Sequence, residues 1–260
     1  MINYDNSLGT VYDATEQLEQ EQSVEIFFCA LNMIQKLMDC PDVAIYRVNK
    51  EKYARLFAYS SAKAASMGST VYLPDKKPLD EACNENRVYI NRSMEKEYPM
   101  MAYNVESEEQ MEILIMLWSI PFERMTINEA NRLIVIGKLI QTSVRRADRY
   151  LEALSEERYH SESQILKASA FEELVGAYRK ASKEKLTEYV LLQIEVEGKN
   201  EKETVDKCTL LLRESDYIGN LSDGKLYLLL TNTDLKGCSF VQNKLKQNGV
   251  ASSISEEGGL

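Results

Sequence analysis

Among the side chains of this 260-residue chain, Arg213 and Asp216 stand in the arrangement best suited to gripping a ligand. A guanidinium is a planar, permanently charged fork of five donors, and an ionised carboxylate only accepts. Three residues apart, the two can face one polar ligand. They can also serve the chain itself, as an arginine at a helix C-terminus neutralised by a nearby aspartate. With 12 arginines and 11 aspartates the spacing is no rarity, and Arg145-x-x-Asp148 repeats it. That copy falls on a helical stretch, where a spacing of three suits an ordinary intrahelical ion pair. Position sets Arg213 and Asp216 apart: they follow the apolar run Leu210-Leu211-Leu212 and precede the turn Ser222-Asp223-Gly224-Lys225-Leu226.

Other chemistry is sparse. His160 is the single histidine, in a polar helical linker without a Ser, Cys or Asp constellation, and is expected as a surface residue. The cysteines (29, 40, 83, 208 and 238) are odd in number and scattered, with no C-x-x-C pair, which argues against a zinc site. They read as small buried hydrophobes in a reducing compartment. Gly9, Gly68 and Gly258-Gly259 form no phosphate-binding loop of recognised spacing. A net charge of −10, from 31 basic and 41 acidic residues, disfavours a nucleic-acid partner. A small anionic ligand needs only a local arginine cluster and stays open. No run of 18 apolar residues and no signal-peptide pattern is present, so a cytosolic location is expected.

These residues need elements to hold them. The hydrophobic fraction of 44% and charged fraction of 28% describe a globular chain, and the length suits two small domains. A helical pattern over 14–38 carries Val24, Phe27, Phe28, Leu31, Ile34 and Leu37 at spacings of three and four, and Asp39-Cys40-Pro41-Asp42 stops it. Strands are predicted at 43–48 and 54–60 around a polar turn, then a helix over 78–86, a strand at 88–90 and a long apolar segment over 111–120. Thr126 or Asn128 caps a long helix. Along it Leu133, Ile136, Ile140, Val144, Ala147, Leu151 and Leu154 form a heptad-like seam. The seam packs on the first domain's sheet or joins two copies of the chain.

Residues 155–165 are polar and mark a boundary, and a further helix covers 166–183. The second domain reads as a strand at 189–196, a helix at 201–212, a hairpin at 217–230 and a helix at 236–247 ended by Gly249. The predicted class is α+β, with a first domain over 14–154, a helical linker over 155–183 and a second domain over 184–260.

The order of apolar helix end, Arg-x-x-Asp, short strand, polar turn and apolar strand resembles the middle of a GGDEF domain, the catalytic module of diguanylate cyclases. Strand, helix, hairpin, helix fits its ferredoxin-like core. The first domain resembles a GAF domain, an α/β sandwich that serves small-ligand binding and dimerisation in many signalling proteins. Val88-Tyr89-Ile90-Asn91-Arg92, Tyr98-Pro99-Met100-Met101-Ala102-Tyr103 and Leu117-Trp118-Ser119-Ile120-Pro121-Phe122-Glu123 sharpen that likeness. The two together, joined by a long helix, look like the PelD family of cyclic di-GMP receptors, which activate Pel-type exopolysaccharide assembly. The resemblance spans roughly residues 20–250.

This resemblance implies a degenerate GGDEF domain, and no enzyme. A working cyclase needs carboxylates for two magnesium ions and a turn that cradles a triphosphate. Here the first strand ends Glu195-Val196-Glu197, Lys225 stands at the hairpin's glutamate position, and Ser222 and Asp223 replace its glycines. The segment between Glu195 and Arg213 is too short to hold the guanine-binding Asn and Asp. What remains is Arg213 and Asp216 as a site for cyclic di-GMP, a regulatory ligand and not a cofactor. Guanidinium forks to guanine N7 and O6 or binds phosphate, and a carboxylate accepts from guanine N1 and N2 hydrogens. Relatives add a second arginine after the hairpin, and none follows Arg213 here. Lys236, Lys244 and Lys246 supply charge without the fork, and no arginine of the first domain matches the family's GAF-derived one. Implied partners are a membrane-associated polysaccharide synthase and export complex at the cytoplasmic face, with a homodimer through the long helix. Two rival readings remain: an interaction scaffold of the same machinery that binds no nucleotide, and a GAF sensor of a small molecule. Against the sensor, the strand around Trp118 reads as plain core.

Overall fold

The computed structural model describes Leu18 and residues 24–105, 112–161, 163–196, 201–213 and 215–255. The chain divides into two compact units, residues 1–149 and 150–260. Among the described residues no helix is long and apolar enough to cross a membrane.

In the first unit the apolar runs become the middle of an antiparallel sheet. Its strands are β1 (Val43–Val48), β2 (Tyr53–Tyr59), β3 (Thr70–Tyr72), β4 (Tyr89–Ile90), β5 (Met101–Val105) and β6 (Glu112–Leu117), in spatial order β3-β2-β1-β6-β5-β4. Side chains alternate between the two faces of a strand. One face packs Ala44, Tyr46, Leu114, Met116 and Trp118 into a core with Leu79, Ala82 and Cys83 of α2 (Lys77–Asn84). The other meets α1 (Glu25–Met38), which buries Ile26, Phe27, Ala30, Leu31 and Ile34 at helical spacing, and α3 (Ile127–Ala153). Gly137 lets α3 approach this face closely: a Cβ there would stand 2.8 Å from Val105 Cγ2 and 3.0 Å from the Tyr103 ring. The helix start at Thr126 is as expected, its hydroxyl accepting from Glu129 N at 3.3 Å. Leu133, Ile136 and Ile140 of the heptad-like seam are buried.

Two features hold the strand and helix ends. Arg124 donates to the Met38 carbonyl (2.9 Å) and pairs with Asp39 (3.1 Å), satisfying the C-terminus of α1. Asp42, just before β1, accepts from the hydroxyls of Ser61 (2.6 Å) and Ser119, with Lys63 Nζ 3.6 Å away. Burial alone would raise this carboxyl. The Ser119 and Ser61 hydroxyls and the Lys63 charge outweigh it and hold Asp42 below the usual carboxylate range.

The second unit contains α4 (Ser155–Arg158), α5 (Ala168–Lys183), β7 (Tyr189–Ile194), α6 (Glu201–Leu211), β8 (Tyr217–Asn220), β9 (Leu226–Thr231), α7 (Leu235–Gln247) and β10 (Ser252–Ile254). From β7 onward the order is β-α-β-β-α-β, and the antiparallel sheet runs β10-β7-β9-β8, the split βαβ arrangement. Val190, Leu192, Ile194, Leu226, Leu228 and Leu230 pack on Val205 and Cys208 of α6 and on Cys238 and Leu245 of α7. The opposite face carries α5, with Tyr178 and Tyr189 ring centroids 6.3 Å apart and Phe171 against Gly219. Helix α5, expected within a linker, thus packs on the sheet of the second unit. Burial pushes the Cys208 thiol up to about 11, in keeping with an inert core cysteine.

The structure departs from the expected elements at several places. The sequence pattern does not single out strands β3, β5 and β10, because β3 and β10 are three residues long and β5 carries the polar Asn104 among its apolar residues. The helix expected at 78–86 ends at Asn84, where Asn86 turns left-handed at φ +50°. Of the helix expected at 14–38, all but Leu18 and 24–38 lies outside the described residues, as do Met111 of the central strand and Glu197 after β7.

Two outcomes follow. Gly219→Ala would drive a methyl into the Phe171 ring, whose Cβ lies 2.8 Å from the added atom, and should destabilise the chain by about 1–3 kcal/mol in urea denaturation. Because the folded-state pKa of Asp42 is depressed, its contribution is present above the unfolded value, about 3.9, and is lost as pH falls through the folded value. Asp42→Asn should therefore flatten part of the acid limb of a stability-against-pH curve, with no such change above about pH 6.

Candidate functional site

The turn between α6 and β8 is where the predicted site residues meet. Asp216 N donates to the Arg213 carbonyl at 3.0 Å, and Asp216 Oδ2 accepts from Arg213 N at 3.1 Å. The second carboxylate oxygen accepts from Thr231 N at 3.0 Å, and the Thr231 hydroxyl donates to the Ser215 carbonyl at 3.0 Å. Thr231 closes β9 and is buried. The aspartate therefore fastens the arginine's turn to the end of a central strand. The Arg213 side chain is exposed, and its guanidinium has no hydrogen bond or ion pair among the described residues. The pair is brought together through backbone N–H groups and not through a guanidinium–carboxylate bridge.

At the other end of β8 the hairpin turn is built from its own polar side chains. Gly224 sits in the left-handed region at φ +76°, and its N–H donates to the Leu221 carbonyl at 2.9 Å, closing a tight turn. The N–H of Lys225 holds Asp223 below the usual carboxylate range, followed by the Tyr227 hydroxyl and the Lys225 charge. Lys225 Nζ reaches Asp223 (3.7 Å) and Gln193 Oε1 (3.3 Å). Ser222 N donates to Glu172 of α5 at 2.9 Å. Among the described residues no group of three or more His, Cys, Asp or Glu side chains is gathered to hold a metal ion.

His160 does more than the sequence suggests. It lies outside any helix, in a turn closed by the bridge between Tyr159 and Leu166, and its N–H donates to the Ile165 carbonyl at 3.0 Å. Its ring Nε2 stands 3.0 Å from Asn220 Oδ1. Asn220 Nδ2 donates to the Lys225 carbonyl, which fixes the amide orientation and makes the imidazole the donor at Nε2. Between this turn and α6 opens a cleft of about 580 Å³, lined by His160, Ser163, Lys202, Asp206, Thr209 and Asn220 among others, over Ile165 and Val205. Its one local signal in the sequence is the helical face Lys202, Val205, Asp206, Thr209.

No protein-family model and no curated protein sequence matches the chain. Among solved structures it is similar to PelD 158-CT from Pseudomonas aeruginosa PAO1, at 12% identity and a TM-score of 0.42 over 96% of this chain and 90% of that one. It is similar to a fragment of a methyl-accepting chemotaxis protein (7% identity, TM-score 0.43, 53% of this chain and 98% of that one). A bacteriophytochrome from the photosynthetic bacterium R. palustris follows (8% identity, TM-score 0.38, 87% and 62%). All three TM-scores lie below 0.5, so the architecture rests on the chain's own strand order and packing.

The turn predicts unequal costs for its two polar residues. Asp216→Ala removes the acceptor for Thr231 N and Arg213 N and should cost about 1–3 kcal/mol of unfolding free energy. Arg213→Ala, at an exposed position, should stay within about 0.5 kcal/mol of the parent. Paired urea denaturation curves check the contrast.

Proposed function

We propose that the chain is a non-catalytic regulator that binds cyclic di-GMP through Arg213 and Asp216 and controls Pel-type exopolysaccharide synthesis and export, and with it biofilm formation. The observation that carries the reading is the free, exposed guanidinium of Arg213 on a turn that Asp216 locks to β9. The turn fixes the backbone from which the arginine projects, and its guanidinium fork matches a phosphate or the N7 and O6 edge of guanine. The Asp216 carboxylate holds the turn through Arg213 N and Thr231 N and sets negative charge beside the arginine.

The second unit is read as a degenerate GGDEF domain on its split βαβ order, with the Arg-x-x-Asp turn at one end of β8 and the hairpin at the other. Lys225, paired with Asp223, supports the loss of cyclase chemistry, since it sets an ammonium where magnesium would need a carboxylate. The first unit is read as a GAF domain on its six-stranded antiparallel sheet between helices. In this reading the ligand acts by binding two states of the protein unequally. The response is passed to a membrane-associated synthase and export complex at the cytoplasmic face.

Isothermal titration calorimetry with cyclic di-GMP tests the proposal. The parent chain should give saturable heat, and Arg213→Ala should weaken binding by about tenfold or more. GTP with magnesium should yield no cyclic dinucleotide. Absence of heat with the parent chain overturns the receptor reading and leaves the interaction scaffold in its place.

A further inference from the structure

We propose that the cleft between the 160–165 turn and α6 binds a small zwitterionic ligand of dipeptide size. Its volume of about 580 Å³ lies in the range of small-molecule sites. The charges of its wall decide the class of ligand. Lys202 and Asp206 line it from the same helix, four residues apart, and neither enters an ion pair among the described residues. On that helix Glu203 and Lys207 do pair, at 2.8 Å. The difference is one of order: acid before base at a spacing of four is the favourable arrangement, and Lys202 before Asp206 is the reverse. One helical turn thus presents a free ammonium and a free carboxylate on side chains whose Cβ atoms lie about 5–6 Å apart.

A polyanion would face Asp206 with no second cation in the lining to offset it. A single α-amino acid would leave most of the cleft of about 580 Å³ to water. An extended dipeptide separates its termini by roughly 6–7 Å and can place a carboxylate on Lys202 and an ammonium on Asp206. That orientation also agrees with the positive end of the helix dipole, since Lys202 stands in the first turn of α6.

The remaining lining suits a peptide unit and an apolar side chain. Thr209 donates its hydroxyl proton to the Val205 carbonyl at 2.9 Å and so turns lone pairs outward. Ser163 accepts from Ile165 N at 3.1 Å, which leaves its O–H to donate. The imidazole of His160, held against Asn220, brings the polar edge of a ring to the cleft. Ile165 and Val205 are buried and form an apolar floor. The turn is held by its own hydrogen bonds from Ser163 N and His160 N before any ligand arrives.

Glycyl-L-leucine is the probe, followed by ¹H–¹⁵N NMR on the intact chain. Saturable shifts should localise to residues 160–165, 202–209 and 220. Lys202→Met and Asp206→Asn, both at exposed positions, should each weaken binding by about tenfold. N-acetylglycyl-L-leucine, which lacks the ammonium, should bind weakly to the parent and lose nothing further on Asp206→Asn. Arg213→Ala lies at the opposite end of β8 and should leave this binding unchanged, so the two sites are scored separately. The proposal is overturned by a lack of saturable shifts, by shifts centred elsewhere, or by affinity that ignores both charge substitutions.

Discussion

A sheet covered on both faces leaves no room for polar side chains along its central strands, and that constraint organises the second unit. Strand β9 is buried at every position, and β7 at all but Gln193. With α5 on one face and α6 and α7 on the other, the middle of the sheet is apolar throughout. Polar chemistry is displaced to the strand ends. Residues 213–216 stand before β8, Asn220 and the hairpin after it, and the two ends are separated by only four residues of strand, about 13 Å. The chain can therefore carry two chemically different sites on one small sheet without either disturbing the core.

Carboxylates in this acidic chain act repeatedly as fasteners. Asp42 collects two serine hydroxyls and a lysine at the start of β1, Asp216 collects two backbone N–H groups, and Asp223 collects a backbone N–H and a tyrosine hydroxyl. Each joins a turn to a neighbouring segment through donors that would otherwise be left with water or nothing. The same residue type that suggests a reactive site in a sequence is here mostly structural. The informative exceptions are the charged groups left without such work, Arg213, Lys202 and Asp206.

The sequence makes the long elements plain because burial imposes period and length. The apolar runs at 43–48, 189–194 and 226–231 and the helical spacing in α1, α3 and α5 all appear where hydrophobic pattern places them. Short edge strands do not show, since Ser252–Ile254 owes its conformation to pairing with β7 and not to its side chains. The site was partly legible. Spacing and context bring Arg213 and Asp216 to one turn, yet the acceptance of Thr231 N by Asp216 depends on a residue 15 positions away. The cleft was hidden for the same reason: its walls come from His160, Ser163 and Ile165, from one face of α6 and from Asn220, which only the folded sheet brings together.

The bridge between Leu166 and Gly219 has a bearing on how the chain is made. Leu166 N donates to Ile218 O, and Asn220 N donates to Leu166 O, so the outer edge of β8 is sealed by a residue more than fifty positions earlier. An open strand edge is a template for pairing with other chains. Leu166 precedes β8 in the chain, so the covering residue is synthesised before the edge it protects. The edge is thereby covered by the chain itself, and Ile165, beside Leu166, lines the cleft.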